Sequence, residues 1–144
     1  MDTKIRDRSG IIYKTTDNKY LVVKEVGKPQ YWGFPKGGQE ENETAEQTAI
    51  REIYEEIGRK ENERLLREKI VVYADQNDPE KPTRKYTFFL LHIDDSFECV
   101  INPLEIAACG WVSLSELKKL RKASFTNSVF RQLLRLEQRL VLAC

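Results

Sequence analysis

Histidine occurs once in this chain, at His92, and cysteine three times, at Cys99, Cys109 and Cys144. Three thiols without metal-ligand spacing exclude a zinc ribbon or finger, and an odd number gives no disulfide framework. Cys99 and Cys109 have no base or cation beside them in sequence, so they read as packed, reduced thiols of a cytoplasmic or nuclear protein. No window approaches 18 consecutive apolar residues, so no membrane span is expected. The charged start, Met1 to Ser9, lacks the apolar segment of a secretory signal. Charge of one sign is also missing, since 24 Lys and Arg stand against 23 Asp and Glu, a balance of +1. Without a global field, a polyanionic ligand has to be met by a local cluster of cations. Internal repeats and low-complexity tracts are absent. The expected organisation is one domain over residues 1–144, long enough to bury a continuous core.

What stands out is GGQEENETAEQTAIREIYEEIG, from Gly37 to Gly58. Thr44 followed by Gln47 is a capping-box pattern that starts a helix near Ala45, and Gly58 supplies a left-handed stop. At about 100° per residue, Ile50, Ile53, Tyr54 and Ile57 share an arc facing the core, with Glu52, Glu55 and Glu56 nearly opposite. Carboxylates at these spacings repel one another, and they crowd the negative end of the helix dipole. Local stability does not select that arrangement. A divalent cation does, because Mg²⁺ and Mn²⁺ take several carboxylate oxygens at once. The competing reading is a solvated acidic face.

The chain elsewhere alternates strands and helices, the pattern of an α/β layered domain. Ser9 to Thr15 and Tyr20 to Val26 read as a hairpin across a polar turn. Tyr31 to Phe34 is a short aromatic segment, extended into Pro35. Gly37 and Gly38 offer backbone freedom and close approach to the main chain, and Asn42 suits a left-handed turn. Glu61 to Glu68 reads as a connector or short helix. Strands are expected at Lys69 to Ala74, Thr83 to Ile93, Phe97 to Ile101 and Gly110 to Val112, with His92 structural within its strand. Ser113 and Ser115 are both candidate N-caps, and Ser115 opens the clearer apolar run. A long helix from Ser124 to Leu142 carries Phe125, Val129 and Leu133 at helical spacing, with Arg131, Arg135 and Arg139 along its solvent face.

Gly37, Glu43, Arg51, Glu52, Ile53, Glu55, Glu56 and Gly58 together resemble the Nudix box, G-x5-E-x7-R-E-U-x-E-E-x-G-U, in which U is a bulky aliphatic. Only Arg59 departs, standing where an aliphatic is expected. The resemblance implies the Nudix fold, an α/β/α sandwich around a mixed β-sheet. It implies hydrolysis of a nucleoside diphosphate linked to another moiety, dependent on Mg²⁺ or Mn²⁺. By position, Glu52, Glu55 and Glu56 become metal ligands together with the Lys36 backbone carbonyl. Glu52 is the first choice for the base and Glu55 the next. Arg51 and Glu43 resemble the pair that ties the loop to the helix, and Gly37, Gly38 and Gly58 hold the motif's shape.

Flanking residues bear on the substrate. Trp32 to Gly37 (WGFPKG) resembles the approach to the box in diadenosine tetraphosphate hydrolases and in messenger-RNA decapping enzymes. Lys81 and Pro82, followed by Lys85, Tyr86, Phe88 and Phe89, resemble the tetraphosphate branch. So does EIAACGWVSL from Glu105 to Leu114, in which Glu105 resembles a remote carboxylate serving metal or water. Lys36, Arg84 and Lys85 are candidate phosphate contacts, and Tyr86 is a candidate base-stacking residue, with core packing as its alternative. The resemblance thus implies a small-molecule nucleotide substrate of the diadenosine tetraphosphate type. RNA decapping or 5′-pyrophosphohydrolysis is the alternative, and a non-catalytic nucleotide-binding module the reading of another class. No membrane and no obligate protein partner are called for.

Overall fold

Side-chain alternation in two long strands sets the architecture. β1 (Arg8–Lys14) and β6 (Lys85–His92) run parallel, in register from Arg8 opposite Tyr86 to Lys14 opposite His92. Successive residues of a strand face opposite sides, so Ile11, Tyr13, Phe89 and Leu91 join one apolar cluster while Ile12, Phe88 and Leu90 join another. A sheet apolar on both faces has to be covered on both. Helix α1 (Ala45–Ile57) covers the first face with Ala49, Ile53 and Ile57. Helices α2 (Leu114–Lys119) and α3 (Ser124–Ala143) cover the second with Leu114, Leu117, Val129 and Leu133. The product is the expected α/β/α sandwich. The structure, a computed structural model, describes residues 6–27, 29–74 and 83–143; Lys81, Pro82 and Cys144, singled out above, lie outside them.

The remaining strands are β2 (Tyr20–Glu25), β3 (Trp32–Gly33), β4 (Lys36–Gly38), β5 (Glu68–Tyr73) and β7 (Ile106–Val112). The sheet runs β3-β2-β1-β6-β5, with β4 also on β1 and β7 also on β2. Although β1 and β2 form the expected hairpin, their register is confined to Lys14 opposite Tyr20. Beyond that pair β1 takes β4, with Arg8 opposite Gly38 and Gly10 opposite Lys36. β2 instead takes β7, from Tyr20 opposite Val112 to Glu25 opposite Ile106. The two arms of the hairpin therefore diverge, and the cleft opens between them.

Several local expectations are corrected. Residues 97–101 are not a strand. Their backbone closes the end of α1, with the Val100 amide donating to the Ile57 carbonyl and the Asn102 amide to the Glu56 carbonyl, each at 3.0 Å. Those carbonyls have no partner inside the helix. β7 starts at Ile106 rather than Gly110. Ser113, not Ser115, caps α2, in a reciprocal box with Glu116. His92 is exposed at a strand end, 3.6 Å from Glu68. Cys99 and Cys109 are half-buried free thiols against the first cluster, where burial pushes the Cys99 thiol up to about 12.

Arg59, the departure from the aliphatic pattern, is explained by its neighbours. Its guanidinium carbon lies 4.0 Å from the centre of the Phe97 ring. Its Nε donates at 2.8 Å to Glu61, which also accepts from the Tyr13 hydroxyl at 2.9 Å. A cation on an aromatic face thus takes the place of an aliphatic contact after the helix.

Candidate active site

The local signals around α1 fold as read. Thr44 and Gln47 form the reciprocal capping box, and Gly58 adopts φ 70°. Asn42 is left-handed at φ 66°. The buried face is rotated from expectation, however. Tyr54 is 54% exposed whereas Glu56 is only 3% exposed, because the residues facing the sheet are Ala49, Ile53, Glu56 and Ile57. The helix thus aims a carboxylate at β4.

Gly37 is required for space. Its φ is not in the left-handed region, unlike those of Gly27 and Gly58. A Cβ added there would overlap the Glu52 carboxyl carbon and both its oxygens. The close approach offered by the glycine is taken by the protein's own glutamate, which corrects the expectation of unusual backbone geometry.

Arg51 ties these parts together. Its Nε donates to Glu43 at 2.7 Å and its Nη2 to Glu43 at 3.0 Å and to the Gly38 carbonyl at 2.8 Å. Its Nη1 reaches Glu52 at 2.9 Å and Glu55 at 3.3 Å. Glu43 accepts further bonds from the Glu40 amide and the Thr48 hydroxyl. Bonding from Arg51 foremost holds the Glu43 carboxyl down at about 2, from an ordinary 4.5. A depressed carboxyl contributes stability that is present above its unfolded value and lost as pH falls through the folded one. Glu43→Gln is therefore expected to cost about 2 kcal/mol at pH 6, with the difference from wild type shrinking between pH 4.5 and 2. Urea denaturation at a series of pH values measures it, and a pH-independent difference contradicts the assignment.

Glu56 is held differently. Its Oε1 accepts from the Lys36 amide at 2.9 Å, and no ion pair to it is formed among the described residues. Burial pushes its carboxyl up to about 8. Burial also raises Glu52, against the pull of Arg51. Glu52 and Glu56 line a hollow of about 330 Å³ together with Arg8, Glu25, Lys36, Gly37 and Glu105. Glu105 is exposed and placed just beyond the end of β2, through the Val26 amide donating to its carbonyl at 3.0 Å. Glu55 leans outward against Arg51 and is not among the residues lining the hollow.

Among the described residues no three acidic side chains already converge as a closed metal cage. Arg51 donates to Glu52 and Glu55, and the Lys36 amide donates to Glu56. The donor chemistry nevertheless fits a hard divalent cation. The oxygens are carboxylate, and one donor, Glu56, is buried and in no direct ion pair among the described residues, the Lys36 charge acting on it only from a distance.

A second hollow of about 220 Å³ continues from the first through Arg8, Glu25 and Lys36 and adds Tyr31, Trp32, Arg84 and Phe125. Tyr86 borders it but is 5% exposed, its ring stacked on Phe125 at 3.9 Å and 8°. The core-packing alternative therefore describes Tyr86, and Phe125 occupies the ring face on which a base would stack. The Lys36 ammonium pairs with Glu25 at 2.6 Å. Arg84 borders the hollow while donating to the Arg6 carbonyl, and Lys85, tied by its amide to Asp7, is not among the lining residues. Arg8, Glu25, Tyr31 and Phe125 escaped the reading of the sequence. No spacing signals them, because they meet only through the divergence of β1 and β2 and the docking of α3.

A mixed sheet between helices, with an acidic helix packed on a glycine strand, defines a class. Residues 4–133 match the NUDIX domain family, and the chain belongs to it. It is a Nudix hydrolase, acting on pyrophosphate bonds, of a family that generally uses divalent metals. Similar curated proteins include the RNA pyrophosphohydrolase of Psychromonas ingrahamii, 36% identical over 75% of this chain and 67% of that one. The RNA pyrophosphohydrolase of Teredinibacter turnerae is 32% identical over 90% of this chain and 83% of that one. Among solved structures, an Ap4A hydrolase binary complex from C. elegans shares the fold with a TM-score of 0.72 at 18% identity, covering 93% of this chain and 98% of that one. So does a bifunctional NMN adenylyltransferase/ADP ribose pyrophosphatase complexed with AMP and Mn ion from Francisella tularensis. Its TM-score is 0.70 at 17% identity, over 92% of this chain and 42% of that one.

Proposed function

We propose that this Nudix hydrolase cleaves a phosphoric anhydride in the 5′-polyphosphate of RNA, using Mg²⁺ or Mn²⁺ held by Glu52 and Glu56, with Glu55 and the Lys36 carbonyl completing the set. The observation that supports it best is the acidic hollow opening directly into one lined by aromatic and cationic side chains. The names of the two curated relatives agree with it. Diadenosine tetraphosphate is the second reading, favoured by the resemblance of the sequence from Lys81 to Phe89 and from Glu105 to Leu114 to that branch. A binding module without turnover has no use for a buried glutamate beside two others.

A bound divalent ion supplies charge neutralisation for the phosphate oxygens and acidifies water. Glu52, oriented by Arg51, takes the proton of the attacking water. Water oxygen bonds to phosphorus as the bond to the bridging oxygen breaks, and the departing phosphate keeps that electron pair. Glu105, across the hollow, is a second carboxylate within the same electrostatic field. Arg8 and Arg84 stand where the remaining phosphates pass. Such a reaction needs mainly positioning and charge stabilisation.

Parallel assays of 5′-triphosphorylated RNA and diadenosine tetraphosphate with Mg²⁺ test this. RNA is expected to be the better substrate by kcat/KM. Inert RNA beside rapid dinucleotide cleavage reverses the order, and failure to cleave either supports the binding module.

A further inference from the structure

Beyond the aromatic hollow lies a third, of about 740 Å³, which shares Pro29 and Trp32 with it. Its wall carries Lys24, Lys119 and Arg121, and no carboxylate among the described lining residues. None of the three cations is in an ion pair among the described residues; two lie over aromatic rings instead. Lys24 Nζ is 5.5 Å from the Trp32 ring centre, and the Arg121 guanidinium is 5.2 Å from that of Tyr31. The platform is built into the fold. Lys24 is registered opposite Trp32 across β2 and β3, and the Trp32 amide donates to the Arg121 carbonyl at 2.8 Å.

In a chain of net charge +1, three unneutralised cations around one hollow are a local concentration of positive charge. Cations interleaved with aromatic faces are the means by which proteins hold single-stranded nucleic acid, the charges tracking the backbone and the rings taking bases. We infer that Lys24, Lys119 and Arg121 form a binding track for the phosphodiesters downstream of the first nucleotide of a single-stranded RNA, with Trp32 marking the passage from the aromatic hollow. This rests on the RNA reading above and extends it. A dinucleoside tetraphosphate carries all its phosphates between its two nucleosides, and so has nothing to place on these cations once its phosphates lie by the glutamates.

The test compares 5′-triphosphorylated substrates of one, two and four nucleotides, on wild type and on a variant combining Lys24→Gln, Lys119→Gln and Arg121→Gln. Thermal unfolding serves as the control for folding. For wild type, kcat/KM is expected to rise about tenfold or more with length at low salt. The variant is expected to lose that rise and keep the mononucleotide rate. Its log–log salt slope on the longest substrate should be shallower by about 2, at roughly 0.7 per phosphate contact on a single strand. A flat wild-type length profile, or a rise that survives the substitutions, overturns the track and leaves RNA hydrolysis standing. Inert RNA overturns the RNA reading instead, and binding of a fluorescent single-stranded oligoribonucleotide then judges the track alone. Equal affinity of wild type and variant overturns it, and weaker binding by the variant supports it.

Discussion

Glu56→Gln is expected to lower turnover by about 10³-fold, the rate equivalent of several kcal/mol of lost charge stabilisation at the metal, while the protein still folds. Folding should survive because the amide matches the shape of a carboxyl already held largely neutral near pH 7. The side-chain oxygen bonded to the Lys36 amide is also retained. What disappears is the ability of this buried position to become an anion facing a cation. Steady-state assays across a Mg²⁺ titration, paired with thermal unfolding, read the two effects separately. Rates close to wild type at saturating Mg²⁺ would defeat the metal-site assignment. A collapsed unfolding transition would show that the role of Glu56 is packing.

Gly37→Ala is expected to reduce kcat by about 10²-fold or more and to cost about 1–3 kcal/mol of stability, the range for overpacking a filled site. Backbone strain does not contribute, since Gly37 lies outside the left-handed region. The added methyl occupies the volume of the Glu52 carboxyl, so Glu52 has to leave, breaking its bond to Arg51. A displacement of about an ångström can by itself cost 10²-fold when a reacting group must be positioned. Gly110→Ala is the matched control, because a Cβ there meets nothing within 4 Å. Activity and urea midpoints of both variants check the claim. Equal behaviour of the two removes Gly37 from the site.

The two substitutions separate what is legible along the chain from what is not. That Glu52, Glu55 and Glu56 share a helix region follows from spacing alone. So do the bounds of that helix, because the Thr44–Gln47 box and Gly58 act through hydrogen bonds and dihedral angles a few residues long. The two-sided burial of the central strands is equally local, an unbroken apolar run visible in Ile11, Ile12 and Tyr13 or in Phe88, Phe89 and Leu90. Which glutamate is buried is not local. Rotation of the apolar arc from Tyr54 toward Glu56 depends on where β4 lies against α1, and β4 is seated by β1.

Short-range pattern was also insufficient wherever a backbone or side chain found a distant partner. Residues 97–101 have strand-like composition, but the Val100 amide, with that of Asn102 just beyond, is taken by the open carbonyls at the end of α1. Arg59 breaks the aliphatic pattern, yet Phe97 and Glu61 receive it. The spacing leaves Tyr86 open to stacking on a base or to packing in the core, and helix α3 brings Phe125 onto its ring.

By itself the sequence determined the helix carrying the acidic cluster, because its cap, its stop and its fixed spacings lie within one segment, and through the resemblance carried by those spacings it implied the family and its sandwich of helices about a mixed sheet. Only the tertiary structure decided how that cluster is used. It buried Glu56, set Glu52 against the bare face of Gly37 and turned Glu55 outward. It also assembled Arg8, Glu25, Trp32 and Phe125 around the cleft. Those residues come from segments as far apart as Arg8 and Phe125, and the cleft itself exists because β1 and β2 part after a single pair and bind different neighbours, a choice made by packing.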